Sequence, residues 1–129
     1  MPSLALPSPR PQRFEHRDVS SLVGRRGVSY REKIESFVDF PLEGLDLAPF
    51  CDDSQSAKAR GVYDLFAVCN HYGRMGFGHY SAFARDWALD GSLAEAWTFY
   101  DDNDVRACDD AAEVKTSAAY ILFYRRRPL

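Results

Sequence analysis

The hydrophobic pattern changes character at Gly61. Beyond it, Val62 to Cys69 is almost continuously apolar, with Asp64 its only charge. That length and its β-branched and aromatic content predict a buried central strand. Between His71 and Gly78, glycines at 73, 76 and 78 predict a tight connecting loop, because glycine reaches backbone angles that other residues resist. A second strand is expected from His79 to about Arg85. After a polar connection from Asp86 to Ala94, Ala96 to Tyr100 predicts a third strand, with Trp97 and Phe99 on one face and Thr98 and Tyr100 on the other. Asp101, Asp102 and Asp104 end it. Asp110 and Glu113 have the spacing of a capping box for a short helical turn, and Ala118 to Tyr124 predicts a closing strand. Four strands with little helix imply an α+β chain that is mainly antiparallel sheet.

Before Gly61 the pattern is weaker. Met1 to Pro11 holds four of the seven prolines, which predicts a loose, disordered tail. From Gln12 to Tyr30 the chain is polar, and Arg25 and Arg26 between Gly24 and Gly27 suit a hairpin tip or exposed loop. Phe37, Val38 and Phe40 stand just before Pro41, which predicts a short strand or extended segment over Glu35 to Phe40. Leu42 to Phe50 is read as one helical turn, followed by a loop from Cys51 to Arg60.

Composition narrows the classes. The chain has 129 residues, 46% hydrophobic and 14% aromatic, enough for a packed core and about one domain. Sixteen basic against 19 acidic residues leave −3, so no basic surface favours nucleic acid. Apolar stretches are short and broken by charges, whereas a spanning helix needs about 20 apolar residues. A soluble protein with no membrane partner is expected. Cys51, Cys69 and Cys108 are an odd number with no CxxC spacing and no preceding signal peptide, so free thiols in a reducing compartment, cytoplasmic or nuclear, are expected.

From Tyr63 the chain reads YDLFAVCNHYGRMGFGHY. This string resembles the histidine box of the ubiquitin-specific protease family, papain-like cysteine peptidases that cleave ubiquitin from its conjugates. Tyr63, Leu65, Ala67, Val68, His71, Gly73, Gly78, His79 and Tyr80 all match. Similarity continues through Trp97, Phe99, Asp101, Asp102 and Val105 and through AAYILFYRR, so it covers residues 61–127. Upstream, Arg13-Phe14 and FVDFPLEGLDL resemble family segments more faintly. The resemblance implies the C-terminal, palm portion of a papain-like domain, incomplete, over residues 12–129. The family's nucleophile lies in an N-terminal cysteine box with an upstream asparagine, and neither stands in these 129 residues.

The chemistry of the residues agrees. A cysteine attacks as thiolate, so a cysteine peptidase needs a histidine to take the proton and a third group to orient it. His79, after a glycine at the mouth of a strand, suits the base, and Gly78 leaves room for a substrate backbone. Asp101, at the end of the next strand, can bond the far ring nitrogen. Asp101 and Asp102 cannot both do so if the strand continues regularly; the resemblance favours Asp101, with Asp102 supporting. His71 either orients the cleft or packs behind it, the packing role being favoured. Tyr80 is ordinary strand filling on its own, and the resemblance implies that it contacts the ubiquitin tail with Gly78. Cys69 shares a face with His71 in a strand that reads as buried, where cysteine behaves as an inert hydrophobe.

Neither a metal nor a cofactor is expected, since no cysteine or histidine pair has zinc-ligand spacing. Nine acidic residues against Arg106 alone between Asp86 and Glu113 form either a solvated rim or an attraction for ubiquitin's arginine-bearing tail. Two functions follow. The chain is either part of a deubiquitinase, supplying histidine and aspartate and inactive without its missing N-terminal half, or a catalytically silent ubiquitin-binding or scaffold module.

Overall fold

A computed structural model describes residues 14–18, 29–50, 61–74 and 77–128. Its strands are β1 (Phe14–Asp18), β2 (Ser29–Lys33), β3 (Leu45–Asp46), β4 (Val62–Arg74), β5 (Phe77–Ala84), β6 (Trp97–Asp101), β7 (Asp104–Cys108) and β8 (Ala119–Arg126). Short 3-10 turns occupy Ala48–Phe50 and Ala111–Val114. Every described strand pairing is antiparallel. The mainly antiparallel architecture is therefore as expected, and no described helix is long and apolar enough to cross a membrane.

β1 and β2 form a two-stranded sheet. The Gly24 to Gly27 tip, the Met1 to Pro11 segment and the loop from Cys51 to Arg60 lie outside the described residues. The other six strands share one sheet in the path β3-β4-β5-β6-β7, with β8 also on β4. Cys69 pairs with Ala82 of β5 and Ile121 of β8, so β5 and β8 flank β4 on opposite edges. The long apolar run is thus the central strand.

Its burial follows from one irregularity. Tyr63 and Leu65 are buried, the register with β8 shifts between Leu65 and Ala67, and Val68 and Asn70 are buried beyond it. A bulge moves the side-chain alternation by one residue, which keeps both halves of β4 facing the same core. Leu65, Val68, Phe83, Trp97 and Leu122 pack there with Phe40 and Val114.

Four local expectations are corrected and one is narrowed. The predicted loop from His71 to Gly78 is mostly strand: pairing runs through Gly73↔Gly78 to Arg74↔Phe77. Gly73 takes φ +91 within this ladder, and a Cβ there would press on the Phe77 carbonyl oxygen. A fifth strand after Gly61, β7, follows β6 immediately. Of the short strand or extended segment expected over Glu35 to Phe40, the strand is ruled out, since the stretch joins no ladder; Phe40 alone is buried, and Lys115 Nζ donates to Asp39 at 2.7 Å. The turn foreseen over Leu42 to Phe50 is a two-residue strand followed by a 3-10 turn. At the foreseen capping box, Asp110 accepts from the Ala112 amide, but Glu113 reaches Arg106 instead of closing the box. Asp64, the charge within the apolar run, accepts from Gly44 N–H and from two Arg127 nitrogens. Burial raises its pKa, but these bonds outweigh that and leave it below the usual carboxylate value.

The Tyr124 hydroxyl donates to the Pro41 carbonyl at 2.6 Å and so ties the 34–42 segment to β8. Burial, with the Asp39 charge, pushes its pKa up from 10.0 to about 12. A raised folded pKa gives stability that is complete below pH 10 and lost as pH rises toward 12. Tyr124→Phe is expected to cost about 1 kcal/mol at pH 8 from the lost hydrogen bond. It should also flatten the alkaline decline, which urea midpoints at pH 8 and pH 11 would reveal.

Candidate active site

The core face of the sheet changes chemistry as it runs toward the tip of the β4–β5 hairpin. Cross-strand partners on that face are first Val68 and Phe83, then Asn70 and Ser81, then Tyr72 and His79. On β6 the same face carries Trp97, Phe99 and, at its end, Asp101. Side-chain alternation therefore places His79 between Tyr72 of β4 and Asp101 of β6, where the sheet emerges from its apolar packing.

His79 Nε2 is hydrogen-bonded to Asp101 Oδ1. The His79 side chain is 50% exposed and that of Asp101 34%. With Nε2 bonded to the carboxylate, Nδ1 is the ring nitrogen left to take a proton from an approaching acid. Such a carboxylate fixes the tautomer and stabilises the imidazolium once it forms.

The two neighbouring carboxylates do not divide as simple alternation predicts. Asp102 leaves the strand in the two-residue connection to β7 with φ +49, a left-handed conformation that aspartate tolerates better than most residues. One donor atom each from His79, Asp101 and Asp102 lie within 4.8 Å of one another, the one such group among the described residues. Asp102 thus keeps its carboxylate beside the pair instead of on the far face.

His71 lies on the opposite face, 4% exposed, with its ring 4.9 Å from that of Tyr80 and 5.7 Å from that of Tyr120. Lys33 Nζ donates to its carbonyl at 2.6 Å. Burial, then the Lys33 charge, lowers its pKa and keeps the ring neutral. The His71 ring is thus packed between two tyrosines on the face opposite His79. A Cβ on Gly78 would run into the His71 ring, so the room left by Gly78 is filled by histidine from the face opposite His79. Tyr80 is 55% exposed on that same face.

Neither described cysteine is near His79. Cys69 faces the other side of the sheet, and burial raises its pKa. Cys108 is buried and donates to the Asp110 carbonyl at 3.2 Å. It sits four residues along β7 from Asp104, the partner of Asp101, a separation of about 13 Å at strand rise. Burial and then the Glu113 charge raise its pKa as well. Both environments disfavour the thiolate. Cys51 lies outside the described residues.

Residue-by-residue reading missed Tyr72, Ser81 and Asn70. The signal was available in the spacing: a hairpin centred on residues 75 and 76 pairs 72 with 79 and 70 with 81.

Comparison with known proteins agrees with this architecture. The ubiquitin carboxyl-terminal hydrolase family profile matches residues 11–124. The chain is 46% identical over 100 residues to ubiquitin carboxyl-terminal hydrolase 4 of Bos taurus, covering 76% of this chain and 9% of that protein. It is 44% identical over 105 residues to ubiquitin carboxyl-terminal hydrolase 19 of Homo sapiens, covering 79% of this chain and 8% of that protein. Among solved structures, the SAGA Ubp8/Sgf11/Sus1/Sgf73 DUB module bound to ubiquitin aldehyde aligns with TM-score 0.66 and 25% identity, over 93% of this chain and 24% of that one. The chain thus spans under a tenth of the length of these curated relatives.

Proposed function

Because this chain belongs to the ubiquitin carboxyl-terminal hydrolase family, we propose that it supplies the general base and its orienting acid for thiol-dependent hydrolysis of the bond after ubiquitin's terminal glycine. The observation that carries this reading is the bonded His79–Asp101 pair at the open end of the core face. His79 Nδ1 takes the proton of a cysteine thiol, and the thiolate attacks the glycine carbonyl. The imidazolium then protonates the departing amine, and His79 next activates the water that releases the acyl group. Asp101 holds the ring, and Asp102 adds negative charge beside the imidazolium. Half-exposed Tyr80 is open to the ubiquitin tail, which Gly78 reaches through its backbone.

The nucleophile comes from outside these 129 residues, from an N-terminal segment or a second chain that completes the domain. Neither Cys69 nor Cys108 is placed to serve, and the thiol chemistry suits a reducing intracellular compartment. Ubiquitin or its conjugates are the proposed partners, together with that missing half.

The test has two parts. The 129-residue chain alone should not turn over a fluorogenic ubiquitin C-terminal amide, and measurable turnover would refute the external nucleophile. Placed in bovine ubiquitin carboxyl-terminal hydrolase 4 over the matching stretch, the chain should support hydrolysis. A folded chimera that binds ubiquitin without cleaving it would favour the second reading, a catalytically silent binding module. That reading draws on the distance of both described thiols from His79, and saturable binding of labelled ubiquitin by the chain alone would support it.

A further inference from the structure

We infer that Tyr72 is a positioning residue for His79: its ring forms the wall against which the imidazole is held with Nε2 on Asp101. The inference rests on the proposed role of His79 but concerns a residue outside the matched positions of the histidine box. Tyr72 and His79 are direct cross-strand partners on β4 and β5. Their ring centroids are 6.5 Å apart with an interplanar angle of 30°, within the range of offset aromatic stacking. Asp101 holds one edge of the imidazole and leaves rotation about that bond open. A flat surface on the ring's face removes that freedom.

Tyr72 is itself held from inside the sheet. Thr116 Oγ1 donates to Asn70 Oδ1 at 3.4 Å, Asn70 Nδ2 donates to Ser81 Oγ at 3.3 Å, and Ser81 Oγ donates to the Tyr72 oxygen at 3.5 Å. All donors run in one direction, an arrangement in which each bond polarises the next. Asn70 is fully buried and Ser81 is 4% exposed, so the chain starts in the rigid core. It ends at a ring that is 40% exposed beside the reactive histidine. Tyr72 thereby carries the order of the core to a side chain that is itself half in solvent. The charged groups at the imidazole are Asp101 and Asp102 from the β6–β7 end; β4 presents Tyr72.

The test reads the ring and not turnover, so its failure is separable from failure of the hydrolase reading. Nitrogen-15 multiple-bond correlation spectra of the 129-residue chain report the tautomer of each of its three histidines, and a His79→Gln sample assigns the signal. The parent chain should show His79 protonated on Nε2 in one dominant form. Tyr72→Leu, at a half-exposed position, should shift His79 toward a mixture of tautomers, changing their ratio about three- to five-fold, the scale of a lost cross-strand aromatic pair. Tyr72→Phe keeps the stacking face but loses the bond from Ser81, so it should shift the ratio clearly less than Tyr72→Leu does. In the chimera, Tyr72→Leu should lower kcat by the same factor at unchanged KM. An unaltered His79 signal in Tyr72→Leu would overturn the inference, and so would a Tyr72→Phe signal as disturbed as that of Tyr72→Leu.

Discussion

In the chimeric hydrolase, His79→Ala is expected to lower kcat/KM by on the order of 10^4-fold, as loss of a member of a concerted catalytic set does. Folding should hardly change. The His79 side chain is half exposed and sits beyond the apolar packing, so its removal leaves no buried cavity. Asp101→Ala should cost about 10^2-fold, because the imidazole then loses its tautomer lock but still accepts a proton. Combining both substitutions should add little to His79→Ala alone, because the carboxylate acts only through the ring. Matched thermal unfolding and progress curves check both statements. A His79→Ala chimera that keeps a tenth of parent activity would remove His79 from the mechanism.

The largest stability effect near the site is expected from Gly78→Ala. The added Cβ would occupy the space of the His71 ring, which lies between Tyr80 and Tyr120 and cannot retreat into solvent. Overpacking of this kind costs about 1 to 3 kcal/mol, and the upper end applies where the neighbour is a rigid buried ring. The Gly78 backbone is outside the left-handed region, so alanine carries no conformational penalty there. The cost should therefore vanish in large part when His71→Ala makes room. Urea unfolding of the two single variants and the double variant gives the coupling directly. Additive costs would show that His71 does not fill the space that Gly78 leaves.

Much of the sheet was legible because strand patterns are local. β4, β5, β6 and β8 each stand where apolar and alternating stretches put them. The Asp110 to Glu113 turn appears at its foreseen place. β7 was missed because Asp104 follows so closely on Asp101 and Asp102 that the acidic run reads as a terminator. In the fold only Asp102 and Asn103 connect the strands, and Asp104 already pairs with Asp101. The glycines between His71 and Gly78 misled for a similar reason. They suggested backbone freedom, yet Gly73 and Gly78 lie opposite each other in the ladder, and the missing Cβ of Gly78 serves to admit His71.

The sequence by itself determined the family resemblance, the central strand, and the choice of His79 and Asp101 as candidates, a pair that the fold brings into hydrogen-bond contact, since each depends on residue types at fixed short spacing. The tertiary structure alone decided which face each candidate occupies. It separated His71 and Cys69 from His79 across the thickness of the sheet, turned Asp102 back toward the pair, and set Tyr72 against the imidazole. The physical reason is register. Periodicity fixes alternation within a strand, but a bulge at Leu65 to Ala67 and the pairing of β4 with β5 and β8 arise from many weak contacts summed across the sheet. A shift of one residue would have sent each of these side chains to the other face.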